Sequence, residues 1–147
     1  MNIELLKNIV DFGIIGLLGL MSFLALWFWI ERILFYKEID IKDFKTKEGL
    51  EIALTNNINI ISTFGSNAPY IGLLGTVFGI IITFYAMGQS DTLDAKMIMT
   101  SLALALKATA MGLLVAIPSI VFYNHLARKI EVILALWDIE QKEKLAN

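Results

Sequence analysis

Cysteine is absent and histidine occurs once, at His125. The first absence excludes a disulfide framework, a thiolate nucleophile and a cysteine-based metal site. The second excludes a His-rich metal site built from one chain. Charge is scarce: 18 % of residues carry it, against about a quarter in a soluble domain. The net charge is −2 and no basic block marks a nucleic-acid surface. A phosphate loop is missing too, since GLLGTVFG has glycines without the Lys-Ser/Thr pair. No apolar run holds clustered carboxylates. These absences argue against an enzyme, and against any metal or other cofactor.

Apolar residues are abundant instead, 57 % of the chain, with a mean hydropathy of +0.70. So much apolar surface needs lipid to face. The start, MNIELLKNIVDF, sets Glu4 and Asp11 beside Lys7, and the following run ends in WFWIER without small residues suited to cleavage. It is expected to be a retained span and not a signal peptide.

Three charge-poor runs each approach the roughly 20 residues a bilayer-spanning helix needs. The expected spans are 12–35, 66–88 and 97–124. Between them lie a charged segment at 36–64 and a connector at 89–96, QSDTLDAK, and a tail helix at 125–147 follows. Gly13, Gly16 and Gly19 permit close helix contact in the first span. Trp27, Trp29 and Tyr36 suit a membrane-edge belt at its end. Pro69 fits a helix start or a kink, and Pro118 a kink in the third span. Loop 31–51 holds five Lys or Arg and the tail four, against one each in the N-terminus and the connector. By the positive-inside rule the loop and tail are cytoplasmic and the N-terminus is periplasmic. The fold class is an all-α membrane protein with three transmembrane helices.

Two spans carry a stripe of small and hydroxyl residues. Gly72, Thr76, Gly79 and Thr83 share one face of the second span, at spacings 4, 3, 4. Ser101, Ala105, Thr109, Gly112, Ala116 and Ser119 share one face of the third. Two readings fit. The stripes are surfaces for tight helix packing, or Thr76 and Thr109 line a narrow polar path or the seat of a partner helix. Three helices cannot enclose a conduit, so the second reading needs a ring, and the stripes are expected to be satisfied only by neighbouring chains. Lys107 is the lone ionisable residue in the second and third expected spans, a functional candidate by default. It lies about 200° around the helix from Thr109. It either snorkels toward Asp91, Asp94 or Asp11 or meets a partner carboxylate directly. The geometry favours a subunit boundary away from the pore.

Two segments, APYIGLLGTVFGIIITF (68–84) and LALALKATAMGLLVAIPSIVFYN (102–124), resemble the MotA/TolQ/ExbB proton-channel family, its ExbB and TolQ branches most. The resemblance implies a multi-pass protein of the bacterial inner membrane that assembles as a homo-oligomeric ring, a pentamer. A single-span ExbD/TolR-type partner brings an essential aspartate. The proton gradient, without any cofactor, then drives motion passed to a TonB- or TolA-type protein for outer-membrane transport. Carried over residue by residue, Thr76 and Thr109 line the pore, with Gly72, Gly79, Thr83, Ala105, Gly112 and Ala116 on the same stripes. A TolQ-like role in envelope integrity and a non-conducting scaffold are the alternatives. One departure stands out: where the family often has a glutamate, this chain has Leu104, with Lys107 three residues on. With no Asp or Glu inside the apolar runs 12–30, 70–87 and 97–123, a proton-carrying acid is expected from the partner.

Overall fold

The computed structural model describes residues 2–92 and 94–147, and all their regular structure is helical. Helix α1 runs Ile3–Glu38, α2 Lys47–Leu54, α3 Ile58–Gly88 and α4 Ala95–Ala146, with a 3-10 turn at Ile41–Asp43. Side-chain caps fix three of the starts. Asn2 accepts from the amides of Glu4 and Leu5, Thr46 from Gly49, and Asp94 from Lys96. Helices α1, α3 and α4 are each long and apolar enough to cross a membrane. Of the expected connector, Leu93 lies outside the described residues.

Each long helix outruns its expected span. Pro69 is not a helix start, because α3 begins eleven residues earlier, at Ile58. The polar stretch before the proline is helical, with its side-chain donors satisfied on carbonyls of the preceding turn. Thr63 Oγ1 donates to Asn59 O at 2.8 Å, Ser66 Oγ to Ser62 O at 3.0 Å and Asn67 Nδ2 to Thr63 O at 2.8 Å. The tail is not a separate helix either. With no glycine or proline after Pro118, α4 continues through 125 to Ala146 as one element of 52 residues.

Helices α3 and α4 make the principal pair, and α1 lies against both. Leu18, Met21, Ala68, Val115 and Ala116 form the central three-helix core. A second core gathers Tyr36, Leu50, Leu54, Ile58, Ile61, Leu126 and Ile130, where α2 tucks under the ends of the long helices. Outward faces are apolar: Phe12 is 76 % exposed and Leu114 66 %. Surface of that kind fits lipid or neighbouring chains.

Two α1 side chains hold the short helix α2. Arg32 Nη1 donates to Ala53 O at 2.9 Å and the Tyr36 hydroxyl to Leu54 O at 2.5 Å. Both carbonyls belong to the last turn of α2, where intrahelical partners run out. Arg32 is buried, paired with Glu31 at 2.5 Å, and its guanidinium sits 4.4 Å from the Phe35 ring centre. On the other side Lys47 Nζ reaches Asp138 Oδ2 of α4 at 2.7 Å. That hydrogen bond raises the Lys47 ammonium above its ordinary value, so the lysine keeps its charge through neutral pH and gives it up only at strongly alkaline pH.

Between α2 and α3 the chain reverses at Asn57, whose φ is +66°. Asparagine tolerates this left-handed region and β-branched residues do not. Asn57→Val should therefore cost about 1–2 kcal/mol, read as a lower thermal midpoint in detergent. Asn57→Gly should leave the midpoint nearly unchanged.

Candidate functional site: the polar seam between α3 and α4

The two small-residue stripes face each other within one chain. Gly72 and Gly112 meet backbone to backbone. A Cβ built on Gly72 would lie 2.5 Å from Ala108 O, and one on Gly112 would lie 2.6 Å from Ala68 O. Farther along, Gly79 faces Ala105 at 2.7 Å. Only residues without bulk let two helix backbones come this close. The expectation that the stripes need neighbouring chains is thus corrected. A helical wheel shows which residues share a face but not what that face meets.

This close approach brings the hydroxyls together. Thr76 Oγ1 and Thr109 Oγ1 are 2.5 Å apart, and Thr76 Oγ1 is 2.9 Å from Ala105 O. With the single Thr76 proton donated to Ala105 O, Thr109 is the donor to Thr76. Thr76 is 6 % exposed, whereas Thr109 is half-buried. The seam therefore has a sealed hydroxyl and a second one at its edge. Thr83 Oγ1 donates to Gly79 O at 2.8 Å, one turn from the end of α3. It borders a small pocket with Ser90, Asp94 and Ser101. Ala116 lies in the three-helix core and Ser119 bonds Val115 O at 2.8 Å. Pro118, like Pro69, sits inside an unbroken helix.

Lys107 lies on a different side. It lines a cavity of about 80 Å³ between α1 and α4, with Asp11, Ile14, Leu104, Ala108 and Met111. Asp94, by contrast, caps α4. Because α1 starts at Ile3, Asp11 is eight residues inside the helix and borders the same cavity as Lys107 and Leu104. The signal was in the sequence: Glu4, Lys7 and Asp11 recur at helical spacing. Gly13, Gly16 and Gly19 have nothing within 4 Å of an added Cβ, so α1 makes no close contact through them in this chain. His125 stands beyond the apolar runs, its Nδ1 accepting from Trp29 Nε1 at 3.2 Å.

Residues 30–139 match the model of the MotA/TolQ/ExbB proton channel family. The chain belongs to that family. It is 52 % identical to a putative biopolymer transport protein ExbB-like 2 of Helicobacter pylori over 134 residues, 91 % of this chain and 89 % of that one. The biopolymer transport protein ExbB of the same species is 52 % identical over 132 residues, 90 % of this chain and 91 % of that one. The ExbB of Aquifex aeolicus is 51 % identical over 135 residues, 92 % of this chain and 91 % of that one. The family match takes in all of α2 and α3 and most of α4, so the whole seam lies within the family's shared part.

Proposed function

We propose that this chain is an ExbB-type subunit of a TonB-type energy-transducing complex, acting as a channel subunit and not as an enzyme. Its place is the bacterial inner membrane, with the N-terminus periplasmic and the tail cytoplasmic. Five copies form a ring around single-span ExbD-type helices. The proton-motive force is turned there into motion of a TonB-type protein for outer-membrane transport. The Thr76–Thr109 hydroxyl pair carries this reading. It sets a polar step in an otherwise apolar layer, and its half-buried member faces the edge of the seam, where a pore-side partner helix can reach it. Family membership and the Lys/Arg asymmetry of the loops support the same assignment.

The complex reconstituted with its ExbD-type partner in proteoliposomes tests it. Native mass spectrometry should show five copies of this chain for wild type, Thr76→Val and Thr109→Val alike. Valine keeps the volume and removes the hydroxyl. Proton flux and TonB-dependent uptake should each fall about tenfold, the rate equivalent of one lost hydrogen bond. Full flux in both variants would leave the hydroxyls a packing role alone, and a wild-type monomer or dimer would remove the ring.

A further inference from the structure

A groove of about 410 Å³ opens between α1 and α4, just past the apolar run of each helix. Lys37 borders it from α1, and His125, Arg128 and Lys129 border it from α4. No carboxylate lines it among the described residues. Arg128 is paired with Glu131 at 3.1 Å, while Lys37 and Lys129 have no ionic partner among the described residues. His125 accepts from Trp29 on Nδ1, so its neutral ring carries the proton on Nε2, a donor for an outside acceptor. Four donors therefore border one groove, and two of them, Lys37 and Lys129, meet no acid among the described residues.

The surroundings say which anion this is. The apolar run of α1 ends at Ile30, next to Glu31, and that of α4 ends at Tyr123, next to Asn124 and His125. The groove thus lies at the level where hydrocarbon gives way to water, with Trp29 stacked on Phe122 beside it, ring centres 4.6 Å apart. On the hydrocarbon side, Ile30 lies seven residues before Lys37 and Val121 four before His125, each on the same helix face. They are 46 % and 59 % exposed, an apolar track leading away from the cations. We propose that this groove binds the headgroup phosphate of an anionic phospholipid, with Lys37 and Lys129 as its charge partners and the acyl chains over Ile30 and Val121. Basic pockets between membrane helices at this depth suit such headgroups. A soluble phosphate would meet the same cations but leave the apolar track uncovered.

Native mass spectrometry of the detergent-solubilised protein, titrated with phosphatidylglycerol or with phosphatidylcholine of the same acyl chains, tests this. Wild type should retain phosphatidylglycerol in preference to phosphatidylcholine. The Lys37→Gln/Lys129→Gln double variant should weaken that retention about tenfold or more, with an unchanged thermal midpoint. Lys42→Gln/Lys45→Gln, on the exposed loop, should leave retention at the wild-type level. Inorganic phosphate should not displace the lipid at millimolar concentration. Equal retention of the two lipids, wild-type retention by the Lys37/Lys129 variant, or displacement by inorganic phosphate would each overturn the proposal.

Discussion

Gly112→Val should leave α3 and α4 unable to pair, and the protein should lose most of its cooperative thermal transition in detergent. The added Cβ alone would fall 2.6 Å from Ala68 O and 3.0 Å from Gly72 Cα. Both atoms belong to backbone, so no rotamer change relieves the clash and the helices must separate. Separation of even an ångström breaks the Thr76–Thr109 contact, because hydroxyl hydrogen bonds end near 3 Å. Gly112→Ala, the smallest step, should cost about 1–3 kcal/mol as overpacking, and valine more. Gly16→Ala is the control: nothing lies within 4 Å of its Cβ, so its midpoint should stay at or slightly above wild type. Circular dichroism melts of the three variants, side by side, decide the matter. A Gly112→Val protein that melts like wild type would show that the seam is looser than described.

Asp11→Lys should be nearly as damaging, and adding Lys107→Asp should repair it. At 1.5 Å per residue Asp11 lies about 12 Å into α1 and Lys107 about 18 Å into α4, and the two border one cavity. A charge at membrane depth costs about 2.5–3.5 kcal/mol when it finds no counter-charge. Reversing one sign places two cations around the cavity, so folded protein in the membrane fraction should fall sharply. The double reversal restores opposite signs and should recover more than half of it. Lys107→Met should lower the yield of assembled complex while leaving transport in whatever assembles largely intact. If the double reversal accumulates no better than Asp11→Lys alone, the two residues do not act as a pair.

The three membrane helices were legible because an uncharged run of spanning length has few other fates. The seam was legible as two stripes, since a glycine, threonine or alanine every third or fourth residue can only mark one helix face. What those stripes touch was not, because periodicity within a helix carries no information about its neighbour. Helix ends were misjudged wherever polarity was taken for a break. Thr63 was assigned to the segment before the second span, yet it lies within α3, where its side chain, like those of Ser66 and Asn67, bonds the preceding turn. Asp11 was set before the first span, and the Asn2 cap carries helix α1 back past it. The clasp of Arg32 and Tyr36 on the end of α2 joins residues 21 and 18 positions apart. Such a contact depends on how the chain folds back, which no local pattern encodes.

The unbroken length of α4 makes it a lever. Its short arm lies in the seam and its long arm runs from Pro118 to Ala146, 28 residues on and about 42 Å away at 1.5 Å per residue. A tilt of about 5° at the proline would swing the far end by about 4 Å on that arm. Through Lys47 and Asp138 the swing would drag α2 along, and through Arg32 and Tyr36 the end of α1. A displacement at the threonines too small to open a channel would thus arrive at the other end as a stroke the size of a side chain.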